Sequence, residues 1–252
     1  MNQLEQAIQL ISNAKQLCVF SGAGMSKESG LATFRDGDDS IWSTYDVREL
    51  ATPAAYLTNP TLVWDWYSHR RRAVLETTPN AGHFALKELE QLKGALPIIT
   101  QNVDNLHERA GSSEVIHLHG EITKQKCFYN CQGNPTEVNL DEVNLDESPP
   151  RCPYCNRPSV RPQVVWFGES LPAQAMERAQ KLADTCDLML VIGTSGVVYP
   201  AALFPLAMLA RHQPVIEINP NKSDLTDRGT LWIEGKSGEV LPQIVDAVKH
   251  AL

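Results

Sequence analysis

The sequence predicts an α/β fold built on a mostly parallel, doubly wound sheet, with a smaller lobe inserted into it. Three observations support this expectation. Short β-rich runs recur at 17–20, 97–100, 115–118, 188–192, 215–218 and 231–233; helix-patterned stretches separate them; and two segments, about 40–78 and 121–160, break the alternation. Several runs are apolar at successive positions, as strands covered on both faces require.

In chain order, Leu4, Ala7, Ile8 and Ile11 form one helical stripe ahead of the first strand. Segment 40–78 concentrates Trp42, Tyr45, Tyr56, Trp64, Trp66 and Tyr67 and reads as helical. A helix is expected to start near Asn80 and run through Leu86, Leu89 and Leu92, and others to follow Pro172 and Pro200. Segment 121–160 has four cysteines and little periodicity, and in it the five residues 138–142 (VNLDE) are repeated at 143–147. A tolerated surface-loop expansion explains such a repeat, because lengthening a loop costs little stability. Leu241, Ile244, Val245, Val248 and Leu252 mark a last amphipathic helix. The expected division is a large domain from 1–39, 79–120 and 161–252, with a helical insertion (40–78) and a cysteine module (121–160) forming the small one.

Length and charge exclude several classes. A chain of 252 residues can bury a large core without disulfides, and 15 Gly with 16 Pro do not make it collagenous or disordered. A net charge of -8 argues against broad electrostatic binding to nucleic acid. The opening MNQLEQAIQLIS lacks the layout of a secretory signal, so a cytoplasmic protein is expected. Residues 188–210 carry no charge and are long enough to span a bilayer, but Gly193, Gly196, Pro200 and Pro205 break the run. A strand, a polar turn and a buried helix account for it better, and no membrane association is expected.

Cys127 and Cys131, and Cys152 and Cys155, are two pairs separated by a twenty-residue loop. Paired knuckles at this spacing let four thiolates converge on one Zn2+, and with four protein ligands the metal has no open position and is structural. Cys18 and Cys186 lie in apolar strand contexts and read as core residues.

Gly22-Ala23-Gly24-Met25-Ser26 directly follows the first strand, where glycines let backbone amides approach a pyrophosphate. The usual third glycine is replaced by Lys27, so a plain dehydrogenase fingerprint fails, and a tight structural turn explains the loop equally well. Further polar groups sit at other strand ends: Gln101-Asn102-Val103-Asp104, Gly193-Thr194-Ser195 and Asn219-Pro220-Asn221. Carboxyl ends of parallel strands are where an open α/β sheet places its ligand crevice. His117 and His119 share one strand face, so periodicity does not choose between them; nearness to the strand exit favours His119 as a base.

GAGMSKESGLATFRD, TQNVDNLH, HLHG, the two cysteine pairs, VVWFGE, GTS and INPN occur in the order seen in sirtuins, the NAD-dependent protein-lysine deacylases, which the chain resembles over nearly its whole length. The resemblance implies a Rossmann-like large domain, a zinc-binding small domain and NAD consumed as a cosubstrate. It implies Gly22, Ala23 and Gly24 in the NAD phosphate loop, and Phe34 and Arg35 in a cofactor-binding segment. Gln101, Asn102 and Asp104 would contact the nicotinamide and its ribose, Gly193, Thr194 and Ser195 the phosphates, and Asn219 and Asn221 the adenosine side; Ser237 joins the cofactor set. Val165, Phe167 and Gly168 would pair with the substrate backbone by strand addition, and His119 would be the general base. The acyl oxygen of a modified lysine would displace nicotinamide, and the acyl group would leave on ADP-ribose.

Tyr67 and Arg70 resemble the Tyr-x-x-Arg pair of the sirtuin subclass that removes succinyl and malonyl groups, and Ala51 its small residue that leaves room for a longer acyl chain. Positions three apart share a helix face, where a phenol and a guanidinium can both bind a carboxylate. Arg70 adjoins Arg71 and Arg72, a local basic group, while residues 132–150 hold five acidic residues and no Lys or Arg. Two other readings remain: an NAD-dependent mono-ADP-ribosyltransferase, and a zinc-ribbon nucleic-acid adaptor. Two features depart from the family pattern, the three residues between Cys127 and Cys131 and the loop repeat.

Overall fold

In the computed structural model, which describes residues 2–31 and 50–251, the six expected runs are strands of one parallel sheet. They are β1 (Leu17–Ser21), β2 (Ile98–Thr100), β3 (Val115–His117), β7 (Leu188–Ile192), β8 (Val215–Asn219) and β9 (Leu231–Glu234). Their spatial order is β3-β2-β1-β7-β8-β9. The chain builds outward from β1 on one side and then returns to β7, leaving a topological switch point between β1 and β7. All five residues of each of these two strands are buried, because helices cover both faces.

Helices α1 (Gln3–Asn13), α5 (Ala81–Lys93) and α9 (Ser237–Ala251) supply one core, through Ile11, Leu86, Leu89, Leu241 and Ile244 against Val19 and Leu190. Helices α7 (Ala173–Thr185) and α8 (Leu203–Ala210) supply the other, through Ala179, Ala183, Phe204 and Met208 against Phe20 and Val191. Asn2 and Glu5 form a capping box on α1, and Asn80 caps α5 as its position suggested. The uncharged run 188–210 resolves into β7, a turn and α8, and no described helix is long and apolar enough to cross a membrane.

The second sheet is antiparallel, ordered β5-β4-β6, from β4 (Gly120–Cys127), β5 (Glu137–Val138) and β6 (Val160–Val164). Against it pack α3 (Pro53–Thr58), capped by Thr52, and α4 (Pro60–Glu76), capped by Asn59, each with Pro in its first turn. Trp42 and Tyr45 lie outside the described residues. The eight-residue β4 is a correction to the aperiodic reading of 121–160. A register shift between Glu121 and Gln125 resets its alternation, and two of its buried residues, Gln125 and Cys127, are not hydrocarbon. Strand β6 runs across the expected 160/161 boundary.

The loop repeat is the same locally and different in packing. Asn139 Oδ1 accepts from the Asp141 amide at 3.1 Å, and Asn144 Oδ1 from the Asp146 amide at 3.0 Å. Val138 and Leu140 of the first copy, with Val143, pack beside the cysteines, whereas Leu145 of the second is 56% exposed.

Candidate active site and cysteine centre

The polar ends of β1, β2, β7 and β8 meet at the switch point. Gln101 Nε2 donates to Thr194 Oγ1 (3.0 Å), and Asn219 Nδ2 to the Thr194 carbonyl (2.8 Å). Asn102 Nδ2 donates to Ser26 Oγ (3.1 Å), while its amide bonds to Thr100 Oγ1, which also accepts from Ser21 Oγ. Asp104 is buried and accepts from the Leu106 amide; burial raises its carboxyl above the ordinary range despite that bond. Ser195 is held here through its carbonyl, which accepts from the Asp224 amide. Asn221 is exposed and joins none of these bonds, and Phe34 and Arg35 lie outside the described residues.

The Gly22 and Gly24 amides are engaged by the neighbouring strand end. Gly22 N–H donates to the Ile192 carbonyl at 2.9 Å and Gly24 N–H to the Gly193 carbonyl at 2.8 Å. A Cβ on Gly24 would lie 2.7 Å from Gly193 Cα, and Gly193 itself has φ +61°. These residues are glycine because the loops after β1 and β7 touch backbone to backbone. The Ser237 hydroxyl and the Gly238 amide both donate to Glu28 Oε2 (3.1 and 2.7 Å), so Glu28 caps α9 across 210 residues of chain.

Hydrogen bonding separates the two histidines. His117 Nδ1 faces the Asn102 carbonyl (3.0 Å) and Nε2 the Glu108 carboxylate (2.6 Å). Both partners accept, so both ring nitrogens are placed to donate; burial opposes the charge, but Glu108 outweighs it and raises the pKa. His119 Nδ1 faces only the Gln101 carbonyl (2.9 Å), to which it must donate. Its lone pair is thereby left on Nε2, which has no hydrogen-bond partner among the described residues, and burial lowers its pKa below 6.5.

Ala51, Tyr67 and Trp166 lie in one apolar cluster. Trp166 Nε1 donates to the Tyr67 hydroxyl oxygen (3.0 Å), leaving the Tyr67 O–H as a donor, and burial pushes this phenol up to about 12. Arg70, next along the same face of α4, has its guanidinium 4.8 Å from the Trp66 ring centre; burial lowers its pKa and Tyr67 opposes that. The main chain at 164–169 is more committed than strand addition supposes. The Val165 amide donates to the His119 carbonyl, that of Trp166 to Glu169 and that of Phe167 to the Ala51 carbonyl. Pairing here is therefore restricted to carbonyls and to the turn at Gly168, whose φ is +89°.

Sequence reasoning missed the brace behind this segment. Arg161 is 1% exposed, donates to both Glu169 oxygens (2.6 and 3.0 Å) and to the Val164 carbonyl, and stacks on Trp166. Ser21, Ser26, Thr100 and Glu28 were missed likewise, since a lone hydroxyl or carboxylate in sequence carries no signal of its distant partner.

The four module cysteines converge. Cys127 and Cys155 Sγ are 3.9 Å apart, Cys131 and Cys152 Sγ 3.8 Å, and all four lie within 4.8 Å of one another. Bonds of about 2.3 Å to a tetrahedral Zn2+ put sulfurs about 3.8 Å apart, so the donor set and its size both fit. The four cysteines are positioned to bind a structural zinc.

Residues 22–200 match the Sir2 family. The chain belongs to the Sir2 family. It is 44% identical over 252 residues to an NAD-dependent protein deacylase of Thermococcus kodakarensis, covering 99% of this chain and 97% of that one. A solved Sir2 homologue in complex with NAD is 42% identical with a TM-score of 0.89, covering 98% of this chain and 94% of that one. A more distant Sir2 structure, bound to a myristoylated histone peptide, is 32% identical with a TM-score of 0.78, covering 99% and 97%.

Proposed function

We propose that this Sir2 protein is an NAD-dependent protein-lysine deacylase that removes succinyl and malonyl groups, and acetyl groups too, yielding nicotinamide, O-acyl-ADP-ribose and free lysine. The observation that carries the reading is His119 beside the Gln101–Asn102 strand exit, its Nδ1 committed to the Gln101 carbonyl and its Nε2 without a partner among the described residues. Gly22, Ala23, Gly24, Gly193, Thr194 and Ser195 line the phosphate side, Gln101, Asn102 and Asp104 the nicotinamide side, and Asn219 the adenosine side. When bound, NAD supplies an electrophilic ribose carbon with nicotinamide as leaving group. His119 accepts a ribose hydroxyl proton at Nε2, because Nδ1 is already committed. The Tyr67 O–H and the Arg70 guanidinium bind the terminal carboxylate of a succinyl or malonyl chain, and Ala51 leaves it space. The two-lobe division expected from sequence is part of the same proposal, with the cysteine module on the small lobe.

Acetyl-, malonyl- and succinyl-lysine peptides assayed side by side with NAD test this. His119→Ala is expected to lower all three rates by about 10³-fold. Arg70→Met should lower succinyl and malonyl kcat/KM by about 100-fold and acetyl by no more than about 3-fold. Equal losses on all three substrates would sink the selectivity, and an ADP-ribosylated protein product in place of acyl-ADP-ribose would sink the reaction. Since burial lowers the His119 pKa from its ordinary value of 6.5, its basic form predominates at pH 7, and the wild-type rate should fall with a midpoint below 6.5. A midpoint above 6.5 contradicts the assignment.

A further inference from the structure

Two cysteines that the zinc centre does not use, Cys18 in β1 and Cys186 at the end of α7, are separated by 168 residues of sequence and meet in the structure. Cys18 Sγ donates to Cys186 Sγ at 3.0 Å, inside ordinary non-bonded separation. Neither is bonded to another cysteine. Both thiols are buried (0% and 3% exposed), yet both line a cavity of about 270 Å³ at the amino ends of the strands, opposite the polar exits. Lys15, Leu17, Lys93 and Leu182 form much of its wall. Beyond Cys186 lies the Met208 sulfur, 3.3 Å away.

We infer that Cys18 and Cys186 are an oxidisable dithiol that a peroxide entering this cavity converts to an intramolecular disulfide. The two thiols differ as an attacking and a resolving cysteine do. The hydrogen bond from Cys18, with the Arg211 guanidinium nearby, holds Cys186 below the ordinary thiol range, while that bond and burial push Cys18 well above it. Cys186 attacks one peroxide oxygen; the O–O bond breaks, a sulfenic acid forms and water or an alcohol leaves. Cys18 then attacks the Cys186 sulfur, the S–O bond breaks and water departs with the Cys18 proton. The two sulfurs lose two electrons and the peroxide gains them. Closing the pair to a bond length of about 2.05 Å needs a shift of about 1 Å. The product staples β1 to the corner that leads into β7, the two strands whose far ends carry Gly22 and Gly193.

Peptide mapping of the zinc-loaded protein tests this. After limited hydrogen peroxide and alkylation without reductant, trypsin should release residues 16–27 joined to 182–211, two hydrogens lighter than the sum, while a colorimetric chelator shows zinc retained. Reductant should separate them. In Cys18→Ala the joined peptide should vanish and Cys186 become trappable by dimedone as a sulfenic acid. If both peptides stay alkylated while the zinc cysteines oxidise and release metal, or if Cys186 proceeds to sulfinic acid in the wild type without cross-linking, the proposal is overturned.

Discussion

The β1–β7 seam and the β4–β6 pair solve the same problem of burying two adjacent strands by different means. In the seam the inward groups are Val19, Phe20, Leu190 and Val191, with hydrocarbon helices on both faces. Burial of such surface contributes about 25 cal/mol per Å² and needs no orientation. In β4–β6 the buried set includes Gln125, Arg161 and the Cys127 thiol, with Ser159 and Cys152 buried beside them. Groups of that kind stabilise only when each finds its partner, so this sheet depends on the Arg161–Glu169 pair and on a metal at the cysteines.

Chelation breaks the comparison most strongly, since structural zinc contributes about 10 kcal/mol or more in small zinc modules. Removing it should abolish hydrogen-exchange protection in β4 and β6 while β1 and β7 stay protected; equal loss in both sheets would show that the lobes unfold as one. Next is Arg161→Ala, which leaves Glu169 without its partner and is expected to cost about 3 to 5 kcal/mol in urea unfolding. The double variant with Glu169→Gln should recover part of that loss. In the seam the sensitive point is backbone contact: Gly193→Ala sets a methyl against the Met25 amide at a positive φ, for about 2 kcal/mol. The smallest effect is expected at the repeat. Val138→Ala, beside the cysteines, should cost about 1.5 kcal/mol, whereas Leu145→Ser in the exposed copy should change stability by less than about 0.5 kcal/mol.

These two regions also differ in how far they could be read beforehand. The six parallel strands were legible to within a residue or so, because each is a short, mostly apolar run set off by helix-patterned stretches, and β1 and β7, buried at every position, carry no charged residue. Strand β4 was not, since its register shift and its inward Gln125 and Cys127 erase the alternation. The site was legible where residue type and strand end coincide, as for Gln101, Thr194 and Asn219. The reason for the glycines was not, because their neighbour is the Gly193 backbone, far along the chain.

By itself the sequence determined the doubly wound sheet through local periodicity, the four-cysteine set through the spacing of near neighbours, and the family through the resemblance of its motifs. The tertiary structure alone gave His117 and His119 different hydrogen-bond partners, committed Ser237 to Glu28, braced the 164–169 segment with Arg161 and brought Cys18 to Cys186. Each of these turns on a hydrogen bond or a contact whose two ends are set by the fold, and a linear sequence records the donors and acceptors but not their distances.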